Sequence, residues 1–190
     1  MALTPSTMKL ALGAAAPDFS LPDPYGVVHS LGEFAGRPAL LVAFLCNHCP
    51  YVKHIAPEFG KLAKEYQAKN VGVVAINSND FTTYPDDSPT MMKAEIGHRG
   101  YTFPYLVDET QATAKAYHAA CTPDFFLFDK DGKLAYRGQM DGSRPGNNQP
   151  ITGADLRAAI DAVLAGKPIS QEQRPSMGCN IKWLPGNEPS

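Results

Sequence analysis

A chain of 190 residues, 44% hydrophobic and 19% charged, is ordinary for a soluble globular protein with one core. A formal charge of −2 without runs of like charge leaves neither nucleic acid nor an anionic membrane favoured as a partner. No apolar stretch reaches the ~20 residues that a membrane helix needs. Four cysteines are too few for a disulfide-stapled secreted scaffold. In a reducing compartment a close pair of them points to catalysis or metal binding.

Residues 1–12 read as a loose lead-in. Within them Met8-Lys9, followed by the apolar Leu10–Ala16, faintly imitates a signal peptide. The run is interrupted by Gly13 and continues into the first strand, so it reads as mature protein with a cytoplasmic address. Residues 17–21 and 27–29 flank the turn-rich Pro22-Asp23-Pro24-Tyr25-Gly26 and predict a hairpin. A helical turn at 30–34 precedes the apolar strand 38–45, whose lack of alternation predicts burial on both faces. Cys46-Asn47-His48-Cys49 follows, then a helix over about 48–68, with Pro50 in its first turn and Pro57 expected to bend it.

The chain continues with a buried strand at 71–76, a polar loop at 77–89 and a short helix at 90–98. A brief strand at 105–107 precedes a helix at 110–119, with Asp108 or Thr110 as its cap. Strands 125–128 and 134–136 flank Asp129-Lys130-Asp131-Gly132 as a second hairpin. After a Gly/Pro/Asn loop at 139–151, Thr152 is expected to cap a last helix over 153–165. The tail from Gly166 is irregular but carries Cys179, Ile181, Trp183 and Leu184, an apolar set that predicts packing against the domain. The order is that of an α/β protein with a mixed sheet.

A strand that delivers two cysteines to a helix N-terminus suggests redox thiol chemistry. Free backbone N–H groups and the positive end of the macrodipole stabilise a thiolate there, lowering its pKa from about 8.5 toward 3.5–7.5. In such a turn Cys46 is the expected nucleophile and Cys49 its resolving partner. A protonated His48 would stabilise the thiolate further. Metal binding is the rival reading, with Cys46, His48, Cys49, His54 and Cys121 as soft ligands. No second ligand pair at metal spacing supports it.

Four stretches carry a family resemblance. They are Gly13 with Ala16-Pro17-Asp18-Phe19-Ser20-Leu21, the strand-Cys46-Asn47-His48-Cys49-helix unit, Phe103-Pro104-Tyr105-Leu106-Val107-Asp108-Glu109, and Thr122-Pro123-Asp124-Phe125-Phe126-Leu127-Phe128-Asp129. Together they resemble the thioredoxin-like superfamily in its redoxin, or peroxiredoxin-like, branch. The resemblance implies a thioredoxin-like fold in which a central mixed β-sheet is flanked by helices, with an N-terminal β-hairpin and an irregular tail. The expectation is one domain over 1–190, its core about 13–165 and the tail 166–190 packed on it. The resemblance also implies a cis Thr122-Pro123 bond facing the dithiol and holding extended substrate chain.

The departures from that family shape the expected activity. Where peroxiredoxins carry Pro and Thr before the peroxidatic cysteine, this chain has Val42 and Cys46. Their Arg ahead of the strand at 125–128 is replaced by Cys121-Thr122-Pro123. The expected activity is therefore thiol–disulfide oxidoreduction on a protein or small-molecule disulfide. It needs no bound cofactor, only a dithiol electron donor such as thioredoxin. The alternatives are a peroxiredoxin-like thiol peroxidase acting on peroxide as an antioxidant and a metal-binding redoxin-fold module. Cys121 and Cys179 are possible extra redox cysteines, each with a packing role as its plain alternative. His29, His54, His98 and His118 read as structural, and Asp86-Asp87 as solvated charges.

Overall fold

The computed structural model describes residues 3–189; Met1, Ala2 and Ser190 lie outside the described residues. Its elements in chain order are β1 (Leu3–Pro5), β2 (Ser20–Pro22), β3 (Val28–Ser30), β4 (Ala39–Phe44), α1 (Pro50–Gln67), β5 (Gly72–Asn77), α2 (Pro89–Arg99), β6 (Tyr105–Val107), α3 (Ala112–Tyr117), β7 (Cys121–Thr122), β8 (Asp124–Asp129), β9 (Leu134–Gly138), α4 (Ala154–Leu164) and β10 (Met177–Asn180).

Five strands form the central mixed sheet in the order β6-β5-β4-β8-β9. The strands β4, β5 and β6 run parallel, and β8 and β9 are antiparallel. Every residue of β4 is buried, as its unbroken apolar run predicts. Alternate side chains feed two cores. Leu41, Ala43, Val73, Phe125 and Leu127 pack with Phe59, Leu62, Leu156 and Ile160 of α1 and α4. Leu40, Val42, Phe44, Val74 and Phe126 pack with Tyr117 of α3, Phe19 and Ile181. α1 buries Val52, Ile55, Phe59, Leu62 and Tyr66 at the spacing of one helical face, and it runs on through Pro57 without a break. Among the described residues no helix is long and apolar enough to cross a membrane.

Local expectations needed small adjustments. The first hairpin is β2–β3, where His29 bridges Asp23 at 3.2 Å and Glu33 at 3.0 Å. α2 ends at Gly100, whose φ of +66° is the left-handed conformation that suits glycine there. The Asp108 carboxylate receives the N–H groups of Thr113 and Ala114 at the start of α3. α4 draws on two caps, with the Ala154 N–H on the Thr152 hydroxyl and the Gly153 N–H on Asp141.

Two larger corrections concern the ends of the chain. The loose lead-in contains β1, and the irregular tail contains β10. With β7 these build a second sheet in the order β1-β10-β7, all antiparallel. Leu3 stands opposite Cys179, and Cys179 opposite Thr122. The Ser6 N–H extends the join to the Ser176 carbonyl at 2.9 Å. Leu10, Leu12 and Ala16 of the signal-like run pack against the second core.

Candidate active site

The two cysteines of the turn leave the C-terminal end of β4, the edge from which β5 also emerges. Cys46 lies just past the strand, and Cys49 is the N-cap residue of α1, with Pro50 at the first helical position. Both are buried, at 2% and 0% exposure. The Cys46 sulfur is 3.2 Å from the Thr122 hydroxyl. The Cys49 sulfur is 2.6 Å from the Cys179 sulfur and, when protonated, donates to the Thr122 carbonyl at 3.4 Å. The Thr122-Pro123 bond is cis. One residue, Thr122, therefore touches both thiols of the turn, one through its side chain and the other through its backbone.

The charge in this cluster settles on Cys49. The Cys46 thiol donates toward it, the Cys179 thiol adds a second donor, and the N–H groups of Val52 and Cys179 contribute, holding the Cys49 pKa down at about 5 against the opposing effect of burial. Burial and the neighbouring Cys49 push Cys46 well above the ordinary thiol value. The helix N-terminus acts on its N-cap residue, and Cys46 lies three residues short of it, in a dry pocket against Thr122. Cys179 is raised to about 12, first by burial and then by the adjacent Cys49.

His48 turns its Nδ1 into a polar hub while keeping a ring nitrogen within 4.8 Å of the Cys46 sulfur. Its Nδ1 is 2.5 Å from the Asp87 carboxylate, and its ring stacks on Tyr84 at 5.7 Å between centroids. The bond to Asp87 raises the His48 pKa. Asp87, 1% exposed, is not a solvated loop charge. Burial pushes its carboxyl up, but bonds from His48, Asn79 and the Asn47 N–H outweigh this and hold it low. The Asn47 N–H reaches Asp87 at 2.7 Å, and the side chains of Asn77 and Asn79 reach it at 3.3 and 2.9 Å. The Tyr105 hydroxyl donates to the Asn47 side chain at 2.9 Å. Asp87 thereby ties the cysteine turn to the strand beside it. Sequence reasoning missed this residue. The available signal was that its loop leaves β5 at the C-terminal edge of the parallel strands, where sites form in open α/β sheets.

The other candidates divide. Cys179 joins the dithiol, giving three sulfurs with Cys49 in the middle. Cys121 is buried with its sulfur 3.7 Å from the Pro123 carbonyl and makes no hydrogen bond to another sulfur among those described. His54 bonds the Ser143 hydroxyl at 2.8 Å, so the metal set that included His54 and Cys121 is not assembled. Cys46, His48 and Asp87 do place a sulfur, a nitrogen and an oxygen within 4.8 Å of one another. The Asp87 oxygens are already engaged by four donors.

The Redoxin family model matches residues 11–156. The chain belongs to the Redoxin family. Thiol-disulfide oxidoreductase ResA of Geobacillus thermodenitrificans is 30% identical to this redoxin over 126 residues, spanning 66% of this chain and 67% of its own. A hypothetical protein from Sinorhizobium meliloti 1021 superposes with a TM-score of 0.94 at 52% identity, covering 96% of this chain and all of its own. A thiol:disulfide interchange protein of the thioredoxin family from Chlorobium tepidum superposes with a TM-score of 0.63 at 19% identity, covering 81% of this redoxin and 98% of its own chain. That likeness identifies the fold as thioredoxin-like. The relatives place this redoxin among the thiol–disulfide oxidoreductases.

Proposed function

We propose that this redoxin reduces or exchanges disulfides through the Cys46–Cys49 dithiol. The observation that carries the reading is that Cys49 caps α1 three residues after Cys46, with Thr122 touching both sulfurs, one through its hydroxyl and the other through its carbonyl. In the reduced centre Cys46 holds the proton and Cys49 the charge. As Cys46 attacks one sulfur of a substrate disulfide, its proton passes to Cys49. A Cys46–substrate bond forms and the other substrate sulfur leaves as a thiolate, to which Cys49 returns the proton. The Cys49 thiolate then attacks Cys46, closing the Cys46–Cys49 disulfide and releasing the second substrate sulfur as a thiolate. Two electrons have moved to the substrate, and an external dithiol, such as a thioredoxin-type donor, restores the pair. Cys46 is assigned the attack because the Cys49 sulfur is already in contact with Cys179 and the Thr122 carbonyl.

The test is reduction of insulin disulfides with dithiothreitol as donor, on wild type, Cys46→Ser and Cys49→Ser. Turnover by wild type and background rates in both variants are expected. Turnover that survives in Cys46→Ser, or donor oxidation that runs on peroxide and not on disulfide, would overturn the reading.

A further inference from the structure

Cys179 forms no bond in the two-cysteine cycle, yet the fold devotes a whole strand to placing it. β10 lies between β1 and β7, which fixes the Cys179 backbone on both sides. Its approach to β7 is closer than a side chain would allow. A Cβ on Gly178 would fall 1.9 Å from the Thr122 carbonyl oxygen and 2.6 Å from its carbon. Strand alternation then turns Cys179 to the dithiol side, where its sulfur sits 2.6 Å from Cys49. Asn180, the next residue, takes up the Lys182 ammonium instead, at 2.9 Å. Cys179 is buried, at 4% exposure, and the contact of its sulfur with Cys49 puts that cysteine within reach as a reaction partner.

We propose that Cys179 is a third redox thiol that exchanges with Cys49, so that the oxidised centre holds a Cys49–Cys179 disulfide in equilibrium with Cys46–Cys49. The inference rests on the dithiol chemistry argued above. In the exchange the Cys179 sulfur, as thiolate, attacks Cys49 of the Cys46–Cys49 disulfide. The Cys49–Cys179 bond forms and the Cys46–Cys49 bond breaks. Cys46 leaves as a thiolate and takes up the proton that Cys179 gave up. No electrons enter or leave the protein. In the reduced centre the charge on Cys49 helps to keep Cys179 protonated. Burial, the larger cause, stays when Cys49 enters a disulfide, and the contribution of its charge is lifted. The exchange stores the oxidation behind Cys46 and frees Cys46 while the centre is still oxidised. A Cys179 that only fills space would do none of this.

The test oxidises reduced wild type, Cys46→Ser and Cys179→Ser with glutathione disulfide, quenches in acid, alkylates and maps the non-reduced peptides. A Cys49–Cys179 peptide beside Cys46–Cys49 in wild type is the expected result. In Cys46→Ser it should be the main intramolecular disulfide. Its absence from both proteins overturns the proposal. Its presence in Cys46→Ser alone shows proximity without exchange and overturns it equally. The wild-type map stands without any variant, so a misfolded Cys46→Ser leaves the question decidable. Failure of Cys179→Ser to form Cys46–Cys49 counts instead against the two-cysteine reading.

Discussion

The His48 imidazole and the Asp87 carboxylate meet at 2.5 Å across 39 residues of chain, and the pair anchors the cysteine turn to the exit of β5. The folded His48 pKa is raised, so its contribution is complete below the ordinary value of about 6.5 and is lost as pH climbs through the raised value. The Asp87 pKa is lowered, so its contribution is present above 3.8 and is lost as pH falls through the depressed value. The pair is therefore at full strength between about pH 4 and 6.5. Asp87→Asn is expected to cost about 2 kcal/mol in that window, at the low end for a buried pair because the imidazole is partly exposed. The cost should shrink at alkaline pH. Denaturant unfolding at two pH values and an NMR titration of His48 check this. An unmoved His48 midpoint in the variant would sink it.

The thiolate on Cys49 makes a second prediction. Ultraviolet thiolate absorbance of the reduced protein should rise through a midpoint at about 5, where a free cysteine with a pKa of about 8.5 is still fully protonated. Cys46→Ala removes the hydrogen bond that contributes most to that low value and should raise the midpoint by about one unit or more. Cys49→Ser should abolish the low-pH rise. Survival of the rise in Cys49→Ser would move the charge to another sulfur.

The parts of the molecule that the sequence made legible were set by neighbours. The double-sided burial of β4 followed from an apolar run, and the position of Cys49 at the head of α1 followed from Pro50 and the helix beyond it. The hairpin at Asp129 was legible from Asp-Lys-Asp-Gly, whose Asp129 side chain receives the N–H groups of Asp131 and Lys133. What escaped depends on distant pairing. Leu3–Pro5 and Met177–Asn180 are too short to carry a strand pattern of their own, and each is a strand because the other is there. Asp87 looked like a surface charge because its partners His48 and Asn47 lie elsewhere in the chain. Which cysteine is ionised was also illegible, since it depends on which sulfur the Cys46 and Cys179 thiols both face.

The close seat of β10 gives a third prediction, at Gly178. Gly178→Ala drives a methyl into the Thr122 carbonyl, and backbone cannot swing aside as a side chain can. The expected cost is about 1–3 kcal/mol, as for overpacking, with β10 displaced from β7. Alkylation of Cys49 in the folded reduced protein should accelerate, because Cys179 of β10 lies against its sulfur. Unfolding curves and quenched alkylation report the two effects separately. A variant as stable and as slowly alkylated as wild type would show that β10 accommodates the methyl without opening.

Asp124 supplies the last prediction, because it follows the cis Thr122-Pro123 bond and is buried beneath the sheet that closes the site. Its Oδ1 accepts the Ser6 hydroxyl at 2.8 Å, and its Oδ2 has no hydrogen-bond partner among the described residues. Burial lifts its pKa from 3.8 to about 7. Between those values the folded protein keeps a proton that the unfolded chain has released, so stability falls as pH rises through the window. It is fully present below about 4 and levels off above about 7. The slope is on the order of 1.4 kcal/mol for each pH unit crossed. Asp124→Asn keeps an acceptor for Ser6 and cannot ionise, so its stability should be flat in this respect. Its new amide donor lacks a partner, which costs about 1–3 kcal/mol at every pH. The variant should therefore be less stable than wild type at pH 4 and should close the gap or overtake it by pH 8. Parallel stability curves for the two proteins across this range would show that Asp124 is ionised throughout and that the fold tolerates its buried charge.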